Sequence, residues 1–145
     1  MRFIKSKYDN GHSLVIMEHL HRLFEGNSRL HPDDADHASE YAGCAYAEAR
    51  ATIKALKYEH MLAKKDAEVC RKFIKSCECY KNWDPESPTA KAAYRQLNRR
   101  IHKVNKLADE INNLMKGLEK SIWSRNITLK AIERKQANQS KEVNS

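Results

Sequence analysis

The sequence predicts an all-α protein: a long antiparallel helical hairpin, coiled-coil-like, with a short N-terminal helix, dimerising into a bundle. Three observations predict it. The 145 residues include only four glycines and three prolines, too little turn chemistry to punctuate a many-stranded sheet. The stretch from His37 to Asn82 contains no proline. Beyond Pro88, apolar residues recur at alternating spacings of four and three, the stripe a helix presents to a partner helix.

Residues 1–30 form an N-terminal segment with two competing readings. Alternation in "RFIKSKY" ahead of Asp9-Asn10-Gly11 is a β-hairpin signal. The helical reading is preferred: Ser13 suits an N-cap, Ile16, Leu20, Leu23 and Phe24 share a helical face, and Gly26 stands where a glycine would stop the helix. His19 and His21 diverge on such a helix, and neither has a cysteine or carboxylate at ligand spacing.

Residues 31–135 make the hairpin. Pro32 suits a first helical turn, and Asp33, Asp34 and Asp36 set negative charge against the positive end of the helix dipole. The first seam reads Ala42, Ala45, Ala49, Ile53, Leu56, His60, Ala63, Ala67, Cys70, Ile74, Cys77. A turn near 82–88 follows, with Pro85 as breaker and Ser87-Pro88 as N-cap and first position of the next helix. The second seam reads Ala90, Tyr94, Leu97, Ile101, Val104, Ala108, Ile111, Met115, Leu118, Ile122, then Leu129 and Ile132. Two arms joined by so short a turn lie antiparallel. Residues 136–145 are polar and aperiodic, and are expected to be a disordered tail. Two helices alone leave much apolar surface wet, which argues for a homodimer.

No run approaches the roughly 18 apolar residues of a membrane span, and no secretory leader precedes the Asp-Asn-Gly-His turn, so a cytoplasmic protein with no membrane partner is expected. There Cys44, Cys70, Cys77 and Cys79 stay reduced. Cys70, Cys77 and Cys79 with His60 upstream are the one metal candidate. Their spacing lacks paired C-x2-C turns, and Cys70 and Cys77, seven apart, read as small seam residues. His60 falls in the first seam, where a buried imidazole needs a hydrogen-bond partner and more often sets register than catalyses. The sequence has no phosphate-cradling glycine loop, nucleophile elbow or H-E-x-x-H, so neither enzymatic activity nor a cofactor is expected.

Charge is the more informative signal. The formal net charge is +8, and from residue 87 onward thirteen lysines and arginines face five acids, while the remaining residues balance. In "YRQLNRRIHKVNK", Arg95, Arg99, His102 and Lys106 occupy adjacent turns, with Arg100 and Lys103 beside them. Such a stripe tracks a phosphate backbone without reading sequence. The competing reading is a solvated outer face, with several of these cations paired to acids of the first arm. Tyr94 and Trp123 are candidates for base stacking, although aromatics at helical spacing more often pack.

"EYAGCAYAEARATIKALKYEHMLAKKDAEV", followed by "SPTAKAAYRQLNRRIHKVNKLADEINNLMKGLEKSIWSRN" with a tryptophan and a basic residue closing the second arm, resembles small, largely uncharacterised helical-hairpin proteins of bacteriophages, often encoded near single-strand annealing recombination genes. The resemblance covers roughly residues 40 to 126. It implies a phage accessory protein, working in the bacterial host cell around DNA recombination or host nucleases, and transfers no catalytic residue.

The expected function is therefore non-enzymatic binding of DNA or RNA through Arg95, Arg99, Arg100, Lys103 and Lys106. The alternative is an inhibitor that docks on a bacterial protein complex, a host defence or nucleic-acid-processing enzyme. A scaffold coiled coil, the third reading, needs no basic stripe.

Overall fold

The computed structural model describes residues 1–29 and 40–143, with side chains through Lys120 apart from Tyr41. Its architecture is α+β, which corrects the all-α expectation. Three strands, β1 (Arg2–Asp9), β2 (His12–His19) and β3 (Arg22–Arg29), form an antiparallel meander in the order β1-β2-β3. Two long helices follow, α1 (Glu40–Glu78) and α2 (Pro88–Val143).

The short N-terminal helix does not exist, and the hairpin signal explains why. Asn10 and Gly11 both adopt left-handed backbone, with φ of 47° and 76°, the turn that matches the twist of paired strands. The next connection, Leu20-His21, is built the same way, with φ of 50° and 61° on two side chains that ordinarily avoid this region. No Asn or Gly advertises it in the sequence. The residues assigned to one helical face are dispersed: Ile16 lies in β2, Leu20 in the turn, and Leu23 and Phe24 on opposite faces of β3. The β1–β2 register runs Phe3↔Met17 and then Lys5↔Ile16, so Ile4 is the extra residue of a bulge.

One face of the sheet packs on the start of α1. Val15 and Met17 of β2 form a core cluster with Ala47 and Ala51 of α1. The approach is so close that a Cβ on Gly26 would overlap the Ala47 carbonyl oxygen and lie 2.6 Å from the Ala51 nitrogen. Gly26 is thus the place where helix backbone meets strand backbone, rather than a helix stop. One turn earlier, a Cβ on Gly43 would overlap Oγ of Ser13, the residue read as an N-cap and here buried in β2. The outer edge of β3 is closed by α1 as well: Arg50 Nη1 donates to the Asn27 carbonyl (2.6 Å) and Lys54 Nζ to the Glu25 carbonyl (2.7 Å). The alanine-rich start of α1 is covered by this sheet.

The chain divides into two compact units, one of which, Ala55–Asn112, holds the end of α1, the turn and the start of α2. Within it the predicted α1 seam holds: Leu56, Ala63, Ala67, Cys70 and Ile74 are buried and His60 is half-buried. On α2, Ala90 is buried and Leu97, Ile101 and Val104 are half-buried. The expected heptad then changes row. Leu107 and Ile111 are buried while Ala108 is only half-buried, so an extra step of three follows Val104. The turn forms where expected: Asp84 Oδ1 accepts from the Glu86 N–H (3.0 Å), and Ser87 Oγ caps α2 by accepting from the Ala90 N–H (3.2 Å).

Helix continues to Val143, through most of the 136–145 segment expected to be disordered. The predicted helix start at Pro32 and its aspartates lie outside the described residues, as do the side chains of Ile122, Trp123, Leu129 and Ile132.

Candidate nucleic-acid interface

The second unit carries thirteen lysines and arginines against eight acids. Its two helical segments run antiparallel, as three cross-links show. Tyr94 donates to Glu78, Arg100 meets Asp66 and Lys103 meets Glu59, so partners retreat along α1 as numbers advance along α2.

These contacts divide the five predicted binding residues into two groups. Arg95, Arg99 and Lys106 are exposed and have no ion pair among the described residues. Arg100 and Lys103 turn toward α1 instead. Arg100 Nε lies 3.3 Å from Asp66 Oδ2 and its Nη1 donates to the Asp66 carbonyl at 3.4 Å, while Lys103 Nζ lies 3.7 Å from Glu59 Oε1. Partly solvated pairs of this kind contribute at most ~1 kcal/mol each. They hold the cations in place without removing them from competition for another anion. The stripe is thus divided: among the described residues Arg95, Arg99 and Lys106 are unpaired, while Arg100 and Lys103 tie the arms together.

The α1 side of the surface was missed. Lys65 and Lys72 are exposed, without an ion pair among the described residues, and stand four residues before and three after Val69, hence beside it on the helix. Val69 and Phe73 are 66% and 63% exposed, high values for large apolar side chains on a packed hairpin. Leu62, Val69 and Phe73 fall on one line of α1, with Asp66 and Ser76 at its other positions, about 100° around the helix from the seam. Between this line and α2 lies a cleft of about 310 Å³, lined by Val69, Cys70, Phe73, Ala93, Gln96 and Arg100. The second three-four register was present in the sequence, but two of its five positions on α1, Asp66 and Ser76, are polar and the first seam is the stronger signal.

Tyr94, a predicted stacking candidate, is otherwise engaged. Its hydroxyl donates to Glu78 Oε1 at 2.6 Å, and its ring meets Trp83 edge-on with centroids 6.3 Å apart. The hydrogen bond to the Glu78 carboxylate, which requires the protonated phenol, raises the Tyr94 pKa, and partial desolvation adds to the rise.

Cys70 is buried in the seam, Cys44 and Cys77 are half-buried, and the exposed Cys79 donates its thiol to the Lys75 carbonyl (3.4 Å); all four are free thiols. Among the described residues no group of three or more His, Cys, Asp or Glu is arranged to hold a metal ion. No described helix is long and apolar enough to cross a membrane. Comparisons of the chain with protein-family models, curated proteins and solved structures find no match.

Proposed function

We propose that this chain is a non-enzymatic phage accessory protein that binds nucleic acid in the cytoplasm of the host cell and assists DNA recombination or processing. One observation carries the binding: Arg95, Arg99 and Lys106 stand exposed, with no ion pair among the described residues, along one face of a helix whose other side is tied to α1. At ~1.5 Å rise per residue they are spaced roughly 6 and 10 Å along the axis, so each reaches a separate phosphate. Neutralising phosphates with fixed cations releases counterions and gives affinity that is independent of sequence and steeply dependent on salt. The assignment to a phage rests on the resemblance over residues 40 to 126.

The discriminating substitution is the triple change Arg95→Glu, Arg99→Glu and Lys106→Glu, because it leaves the Arg100–Asp66 and Lys103–Glu59 links in place. Fluorescence anisotropy with labelled DNA across a salt series should show tight, salt-dependent binding by the wild-type chain. The triple variant should lose most of it, with the log–log salt slope falling by about two to three. Wild-type protein that fails to bind at low salt, or a triple variant that binds unchanged, would remove this reading.

A second reading, an inhibitor of a host defence or nucleic-acid-processing enzyme, is favoured by a different observation. The exposed line Leu62, Val69 and Phe73 on α1 has the spacing that a partner helix recognises. Under that reading Phe73→Ala weakens inhibition of the target and leaves nucleic-acid affinity untouched.

A further inference from the structure

We infer that the cleft between α1 and α2 makes the interface selective for single-stranded over duplex nucleic acid, by receiving an unstacked base against Phe73 while phosphates lie on the flanking cations. This inference rests on the nucleic-acid reading above and names its substrate class.

The floor and the rim of the cleft have different chemistry. Val69, Cys70, Phe73 and Ala93 make an apolar floor, with Gln96 and Arg100 as the polar groups lining it. Gln96 offers an amide donor and acceptor, and Arg100 a planar guanidinium, both suited to the edge or face of a base. Outside the floor stand Lys65 and Lys72 on the α1 side, and on the α2 side Arg99, three residues beyond Gln96 and adjacent to Arg100. A volume of about 310 Å³ lies at the small end of ligand pockets, which run from ~300 to 1,000 Å³, and suits flat rings rather than a folded partner. Tyr80, 74% exposed, lies just beyond the end of α1 at Glu78.

A positively charged groove beside exposed aromatic residues is the combination that single strands exploit, because every base has a face to stack and every phosphate a charge to neutralise. A duplex keeps its bases stacked on each other and offers this surface only its backbone. It would use the cations and leave Phe73 in water.

A second copy of the chain is the main competing occupant. Antiparallel pairing of two α1 helices through this line would set the Lys65 and Lys72 flank against the same flank of its partner, and facing like charges destabilise such a contact. The same lysines favour a polyanion.

The test uses the full chain with a short mixed-sequence single strand and a duplex of the same length, read by anisotropy across salt. The wild type should prefer the single strand by roughly ten-fold or more. Phe73→Ala should abolish that preference while leaving duplex affinity and its salt slope unchanged, and Phe73→Trp should restore it. Phe73 is largely exposed, so these variants should keep the wild-type circular dichroism. Equal affinity for the two forms, or a Phe73→Ala variant with unaltered single-strand binding, overturns this inference and spares the electrostatic reading. Absence of all binding overturns both. A dimer in light scattering that Phe73→Ala converts to monomer also overturns it, and assigns the cleft to a second copy.

Discussion

At residue scale the contact between sheet and α1 has almost no free space. Gly43 and Ser13 are coupled, since a methyl at position 43 would overlap the Ser13 hydroxyl, and that hydroxyl is buried with no hydrogen-bond partner among the described residues. Glycine inside a helix ordinarily costs about 1 kcal/mol relative to alanine. Gly43→Ala alone should therefore lower stability, whereas in a Ser13→Ala background it should raise it by about 1 kcal/mol; a double-mutant cycle in urea measures the difference. Gly26→Ala has no such rescue, because its obstacle is the α1 backbone. It should reach or exceed the upper end of the ~1–3 kcal/mol typical of overpacking, seen as a large drop in the denaturation midpoint. Tyr94 gives a pH-dependent counterpart. Its folded pKa is raised, so its bond to Glu78 contributes fully below the ordinary phenol range and is lost as pH climbs through the raised value. Absorbance titration of the phenolates should show a late phase from Tyr94, and Glu78→Gln should move that phase to lower pH.

At the scale of elements, the two β-turns explain what the sequence disclosed and what it concealed. Asn10-Gly11 is a legible hairpin signal, and it was outweighed by "SLVIMEHLHRLF", whose apolar residues fit a helical as well as a strand period. The choice is made by tertiary contact: only the strand reading puts Gly26 against Ala47 and closes the β3 edge with Arg50 and Lys54. Leu20-His21 could not be anticipated, because neither residue favours left-handed backbone. Each carries a penalty of roughly 1 kcal/mol or more. Replacing the pair with Asn-Gly should therefore stabilise the protein by about 1–2 kcal/mol, read as a rise in Tm. The helical arms were legible from Leu56 to Ile74 and from Ser87 to Val104, since their period is a local property. The row change at Leu107 was not, because it depends on how α2 meets the packing opposite it.

For the molecule as a whole, net charge drew attention to α2, which carries one half of the proposed surface. Arg95, Arg99 and Lys106 could be found from spacing alone. Lys65, Lys72 and Phe73 could not, since recognising them requires knowing which side of α1 is left open by α2. The closed β3 edge and the strained second turn also bear on how the protein comes into being. The Asn10-Gly11 hairpin has the local means to close on the microsecond timescale of isolated hairpins. β3 does not: its turn resists formation, and its outer carbonyls wait for Arg50 and Lys54. The third strand should thus join only when α1 arrives, making strand and helix a single cooperative step. Amide protons of β3 should exchange together with those of the first turns of α1, more as a latch that shuts than as a hairpin that zips.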